Sequence, residues 1–383
     1  MMVVNHAGYR LLSPVDAASG ISGAAVFVGS FAPVVYFFAT GFGTGLGVSA
    51  TGRPPSWWAT VWKAALLVLA DQIAYWGGGA SFGLDFFSFI GIAMVLLCLL
   101  ARARHAITWC LVLTLGLLVA RYGVGPMVRP RLEDQPVLGL LLGVRGLSGV
   151  SYPLSPWMIY PLVGFVLGRL YAARKRGTAI LGNRWTTVGA AVCAGSFTGA
   201  AALVWAHATV FRWGTVSFAF FVLSIGVLSA CGLLAMASSV GATRPARAFA
   251  LRGVASFAVI PLHYGLIDIL DGAATPLQPL GFSAACLALV IVSWASSKAL
   301  ALLVAKKATA DGHRLIFSVL SAVLAMLVAI IIIGLPRSLP TWGATATVLL
   351  AQLVVAALLG FRPPSSPPPS QAPAKFLATG QPM

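Results

Sequence analysis

SYPLSPWMIYPLVGFVLGRL, residues 151–170, carries a single charged residue, Arg169, at its far end. A run of this length is what a helix needs to cross a hydrocarbon core, roughly 20 residues for about 30 Å. Trp157 near its start has the place of an interfacial anchor. Gly164 and Gly168 form a G-x-x-x-G pair through which another helix can approach closely. Arg169 then leads into a basic loop that continues with Arg174, Lys175, Arg176 and Arg184.

Similar runs recur near 22–48, 56–77, 83–101, 106–123, 154–172, 185–209, 213–240, 249–270, 278–304, 313–335 and 342–361. They make about eleven full spans. With 59% hydrophobic and 9% charged residues, the 383-residue chain lies outside the range of soluble globular domains. The expected fold is all-α: a polytopic integral membrane helical bundle over residues 1–361, with residues 1–8 as the stub of a first helix. Residues 124–153 form the longest extracytoplasmic loop, and the Pro/Ser-rich tail 362–383 is expected to be disordered. The five cysteines fall within spans, show no metal-ligand spacing, and read as small packing residues.

A net charge of +17 raises nucleic acid as a partner, but the basic residues punctuate loops and gather on no soluble face. Lys63, Arg102, Arg104, the 169–184 cluster, Arg244, Arg247, Lys306 and Lys307 fall on alternate loops, and the positive-inside rule makes that side cytoplasmic. The C-terminal tail is then inside and residues 6–21 are outside, with a bacterial inner membrane as the default location.

Acids and histidines inside a bilayer are costly, and each is a functional candidate. Asp71 and Gln72 lie toward the outer end of their segment, Asp85 and His207 at outer helix ends, and His263, Asp268 and Asp271 in the outer half of 249–270. His6 and Asp16 are also outside. The cytoplasmic side keeps mainly Arg and Lys. This asymmetry reads as an outward acid/base site over an inward basic mouth suited to a phosphate-bearing ligand. The plainer readings are helix ends for Asp85 and Asp271 and topology signals for the basic loops. Asp71 and His263 lie well inside apolar runs and are harder to read that way.

Four stretches in order, "MVVNHAG" (2–8), "FAPVVYFFATGFGTGL" (31–46), "SYPLSPWMIYPLVGFVLGRL" (151–170) and "LRGVASFAVIPLHYGLID" (251–268), resemble the transmembrane acyltransferase superfamily. The likeness is to the bacterial relatives of heparan-alpha-glucosaminide N-acetyltransferase and to family-three acyltransferases, and it covers about residues 1–270. The resemblance implies an enzyme that takes an acyl group, typically acetyl from cytosolic acetyl-CoA, and passes it to a hydroxyl or amino group of an extracytoplasmic sugar or glycolipid. It implies His6 as catalytic base or nucleophile, Asn5 as its hydrogen-bonding neighbour and His263 as the late-helix histidine, with Asp71 added from the charge map. Lys63, Arg102 and Arg104 are the candidates for the CoA phosphates, and no metal is expected. Expected partners are acyl-CoA, the glycan acceptor and membrane lipids, with a homodimer as one option and no nucleic acid.

The sequence departs from the lysosomal branch, whose essential His lies about where this chain has "RLLSPVDAASG" (10–20). Either His6 takes over that role or this member is catalytically altered. The same resemblance makes "MMVVNHAGYR" (1–10) the closing turn of a transmembrane helix whose earlier part precedes Met1. Two other classes compete: a transporter or flippase built on Asp71 and His263, and a catalytically silent membrane scaffold.

Overall fold

Apolar runs fold here into helices, several of which begin or end at Ser, Pro or Gly, as at Ser13-Pro14, Gly52 and Ser56. The computed structural model describes residues 1–80, 82–128, 150–175, 220–226, 254–271, 276–306, 310–334 and 341–361, and single positions between them. The expected spans at 185–209 and 213–240, most of the loop 124–153, His207 and the tail 362–383 lie largely or wholly outside the described residues.

Among the described residues the chain is helical, apart from an isolated bridge between Leu84 and Val150. The helices are α1 (Met2–Leu11), α2 (Pro14–Ala18), α3 (Gly20–Gly29), α4 (Ala32–Thr51), α5 (Trp57–Gly77), α6 (Phe86–Leu100) and α7 (Ala106–Leu118). After them come α8 (Ile159–Lys175), α9 (Val254–Asp271), α10 (Pro279–Lys306), α11 (Ala310–Ile332) and α12 (Thr341–Leu359). Four stretches are long and apolar enough to cross a membrane: Gly20–Thr51, Ala106–Met127, Pro279–Leu302 and Leu315–Ile332. The first helix runs on to Leu11, beyond the expected boundary at residue 8. It stops because Ser13 starts the next helix, its hydroxyl accepting from the Asp16 N–H with Pro14 in the first turn.

The G-x-x-x-G reading of α8 holds, and α4 answers it with glycines of its own. A Cβ on Gly164 or Gly168 would run into the carbonyls of Phe38 or Phe42, and one on Gly41 or Gly45 into those of Pro161 or Phe165. Each helix supplies the gap for the other's backbone, the arrangement lipid-embedded helices use where tail and side chain are equally apolar. Trp157 is a correction: it is fully buried, not an interfacial anchor. The short turn Leu154–Trp157 ahead of α8 folds its indole into the core, edge-on to Tyr152 and Phe37 at ring-centroid distances of 5.0 and 5.7 Å.

α1 divides its residues between two faces at helical spacing. Val3, Ala7 and Leu11 pack with Val26, Ile267, Phe282 and Leu289 in a small apolar cluster, which seats α1 against α3, α9 and α10. Met2, His6 and Arg10 lie on the other face and line a cavity.

Candidate active site

The cavity has a volume of about 600 Å³ and lies between α1, α5, α6, α9 and α12. That is within the usual range for a small-molecule site. Along α9, Ile260, Tyr264 and Asp268 recur one turn apart on the lining face, with Pro261 and Gly265 beside them. Phe86, Phe87, Tyr75 and Tyr152 add aromatic walls, and Asp71, Asp85 and Gln352 add polar ones.

At the α1–α9 contact four groups form one hydrogen-bonded series. His263 Nδ1 lies 2.8 Å from the Val259 carbonyl, its Nε2 lies 2.9 Å from His6 Nδ1, and His6 Nε2 lies 2.9 Å from the Tyr264 hydroxyl. The Val259 carbonyl can only accept, so His263 carries its hydrogen on Nδ1 and accepts at Nε2. His6 must then donate from Nδ1. Its Nε2 is left with a free electron pair, directed at the Tyr264 hydroxyl, which donates to it. His263 is buried behind this pair with 1% exposure, whereas Tyr264 is 45% exposed and lines the cavity. A base oriented by a second group, itself oriented by a third, is the general layout of an activated acid/base centre.

Just beyond this series, Arg10 pairs with Asp268 at 3.1 Å and with Asp271 at 3.7 Å. Arg10 is one turn from His6, and Asp268 is one turn from Tyr264, so the ion pair continues the same α1–α9 seam outward. All three side chains are partly in solvent, and the pair is of the modest, screened kind.

Asp71 has a different position. Its Oδ2 accepts from the backbone N–H groups of Asp85 at 3.2 Å and Ser88 at 2.6 Å, at the start of α6. Asp85 caps the same helix, accepting from the Phe86 N–H at 2.8 Å. Gln72 clasps Gly83 on both its N–H and its carbonyl. Together these side chains tie the α5–α6 connection down, satisfying donors that a helix start leaves without partners. Asp71 lines the cavity while doing so.

Asn5 turns away from the cavity: its Nδ2 donates to the Val26 carbonyl of α3 at 3.1 Å, and its side chain packs beneath Gly29. Lys63, Arg102 and Arg104 do not line the cavity either. Arg102 sits just past the end of α6, donating to the carbonyls of Cys98 at 2.5 Å and Pro55 at 2.7 Å, with its guanidinium 5.8 Å from the Trp57 ring centroid. Lys63 and Arg104 are exposed. From Phe86, at the cavity, to Arg102 the helical rise of ~1.5 Å per residue amounts to roughly 24 Å.

The structure thus brings together His6 and His263 and sets Asp71 on the same cavity wall, while Asn5 and the three basic candidates lie elsewhere. Tyr264 and Arg10 belong to the site and were not singled out for it by the sequence. The signal for Tyr264 was its place beside His263 and one turn before Asp268; for Arg10, its spacing of four from His6. Among the described residues no group of three or more His, Cys, Asp or Glu is placed to hold a metal ion. No family model matches the chain, and comparisons with curated proteins and with solved structures find no match.

Proposed function

We propose that this chain is an integral-membrane acyltransferase that moves an acyl group, acetyl by default, from cytosolic acyl-CoA to a hydroxyl or amino group of an extracytoplasmic glycan or glycolipid. In this reading about eleven helices span a bacterial inner membrane, counted at the length one crossing needs. The C-terminus is cytoplasmic and the His6 cavity faces outward.

The observation that carries the reading is the series Tyr264–His6–His263–Val259, which leaves one imidazole nitrogen of His6 as a proton acceptor beside a cavity. Acyl transfer needs such a group, either to take the acceptor's proton as it attacks the thioester or to attack the thioester itself. The four sequence stretches and the outward acids over inward basic loops support the same assignment. Lys63 and Arg104, exposed at the opposite end of the α5–α6 pair, are suited to the phosphates of the CoA nucleotide. The pantetheine arm would bridge the distance to His6.

The test is sided. Proteoliposomes are loaded with radiolabelled acetyl-CoA inside, and candidate sugar acceptors are supplied outside. Label on the external acceptor, with CoA thiol retained in the lumen, supports the reading. Movement of acceptor across the bilayer in the absence of any acyl donor supports a transporter instead.

A further inference from the structure

Consecutive residues of one helix hold both nitrogens of the same imidazole. His263 takes the hydrogen of His6 Nδ1 at 2.9 Å, and Tyr264 covers His6 Nε2 at 2.9 Å. The three rings form a layered group: the His6 and Tyr264 centroids are 4.4 Å apart with planes 28° from parallel, and the His6 and His263 planes differ by 8°. Of the three, His263 is buried behind, while His6 and Tyr264 both line the cavity, with the Tyr264 hydroxyl on His6 Nε2. A substrate approaching His6 Nε2 from the cavity therefore finds that position occupied by the phenol oxygen.

We infer that Tyr264 is a catalytic proton relay between the acceptor and His6, an inference that rests on the acyltransferase reading. The acceptor oxygen or nitrogen bonds to the thioester carbonyl carbon. As it does so its proton passes to the Tyr264 oxygen, and the proton of Tyr264 passes to His6 Nε2. The carbon–sulfur bond then breaks, and the departing thiolate takes a proton back through the same phenol. His6 and Tyr264 are restored, and the products are the acylated acceptor and the free CoA thiol. The imidazolium formed in between is held by its Nδ1 hydrogen bond to His263, whose own hydrogen is anchored on the Val259 carbonyl. Because the phenol occupies Nε2, His6 serves as a general base and does not become acylated.

The experiment has two arms. In the first, Tyr264→Phe and a 3,5-difluorotyrosine substitution at 264 are compared with the wild type in steady-state acyl transfer. Expected are a fall in kcat of about a hundredfold for Tyr264→Phe with KM little changed, and a pH–rate profile displaced to lower pH by the more acidic fluorophenol. A Tyr264→Phe variant at wild-type kcat, or a profile that fluorination leaves in place, overturns the relay. The second arm needs no acyl transfer: diethyl pyrocarbonate labelling of His6, followed by mass spectrometry. Removing the covering hydroxyl in Tyr264→Phe should speed carbethoxylation of His6 several-fold, and an unchanged rate overturns the assignment. If the wild type transfers no acyl group at all, the functional reading fails on its own, and the labelling arm still decides whether Tyr264 covers His6. Recovery of an acyl-His6 adduct after donor addition would also overturn the inference.

Discussion

His6 and His263 share one hydrogen bond, 2.9 Å from Nδ1 to Nε2, and that bond fixes which nitrogen of His6 carries hydrogen. Neither residue could set this alone. The Val259 carbonyl determines His263, and His263 determines His6, so the reactivity of the cavity-side nitrogen is decided by a backbone oxygen two rings away. His263→Ala should leave the cavity lining intact and lower kcat by roughly a hundredfold through loss of the oriented tautomer. His263→Gln offers an amide oxygen to the His6 Nδ1 hydrogen and should retain more activity than the Ala variant. Thiol release from acetyl-CoA, measured for both variants, checks the order; equal losses would mean that His263 acts through packing.

The α4–α8 contact makes a second prediction. Gly164→Val forces a side chain into the Phe38 carbonyl, and overpacking of this kind costs about 1–3 kcal/mol. Gly43 lies on the other side of α4, with nothing within 4 Å of its Cβ position. Gly43→Ala should therefore leave stability unchanged or raise it slightly through helix propensity. Thermal denaturation of the detergent-solubilised variants should separate the two, and a Gly164→Val midpoint equal to the wild type would refute the interlocked contact.

Asp71 allows stability to be separated from chemistry. Asp71→Ala strands the N–H groups of Asp85 and Ser88, a buried loss of about 1–3 kcal/mol. Asp71→Asn keeps an acceptor oxygen in place and should cost much less. If Asp71 only fixes the start of α6, the Asn variant keeps most of its turnover. If turnover collapses in a stably folded Asp71→Asn protein, the carboxylate acts in proton transfer and the positional reading is wrong.

The basic candidates should divide by whether the structure already uses them. Arg102 is committed to the Cys98 and Pro55 carbonyls, so Arg102→Ala should weaken folding before it affects donor binding. Lys63→Ala and Arg104→Ala remove exposed charges, and each should raise KM for acetyl-CoA roughly two- to fivefold at low salt with kcat unchanged. An acetyl-CoA KM indifferent to both changes and to ionic strength would remove Lys63 and Arg104 as the proposed donor mouth.

Much of this was legible in the sequence where chemistry and spacing coincide. Gly164 and Gly168 announced a close helix contact because small residues four apart have little other purpose in an apolar run. Asp85 was readable as a helix end. His263 was readable as a candidate because ionisable groups are scarce in such a chain, and His6 through the resemblance, but their direct contact, 257 residues apart, depends on how α1 seats against α9. The seat is made by Val3, Ala7 and Leu11, spaced four apart among the polar residues Asn5, His6 and Arg10, too few to mark a face in sequence. Trp157 misled because an indole near the start of a span has the same signature whether it anchors at the interface or folds inward. Asp71 was readable as a residue with a partner, since a carboxylate within an apolar helix signals one, but the partner, the start of a helix fourteen to seventeen residues on, depends on how α5 and α6 pack.

The central claim is that His6 supplies the proton-accepting nitrogen for acyl transfer. Its most direct test is the initial rate of CoA thiol release from acetyl-CoA, in the presence of a sugar acceptor, by purified wild-type and His6→Ala proteins in the same detergent. The account predicts acceptor-dependent thiol release by the wild type and a loss of at least about a hundredfold in His6→Ala, with the variant's denaturation midpoint near that of the wild type. Acceptor-dependent release at the wild-type rate from a folded His6→Ala protein would contradict it.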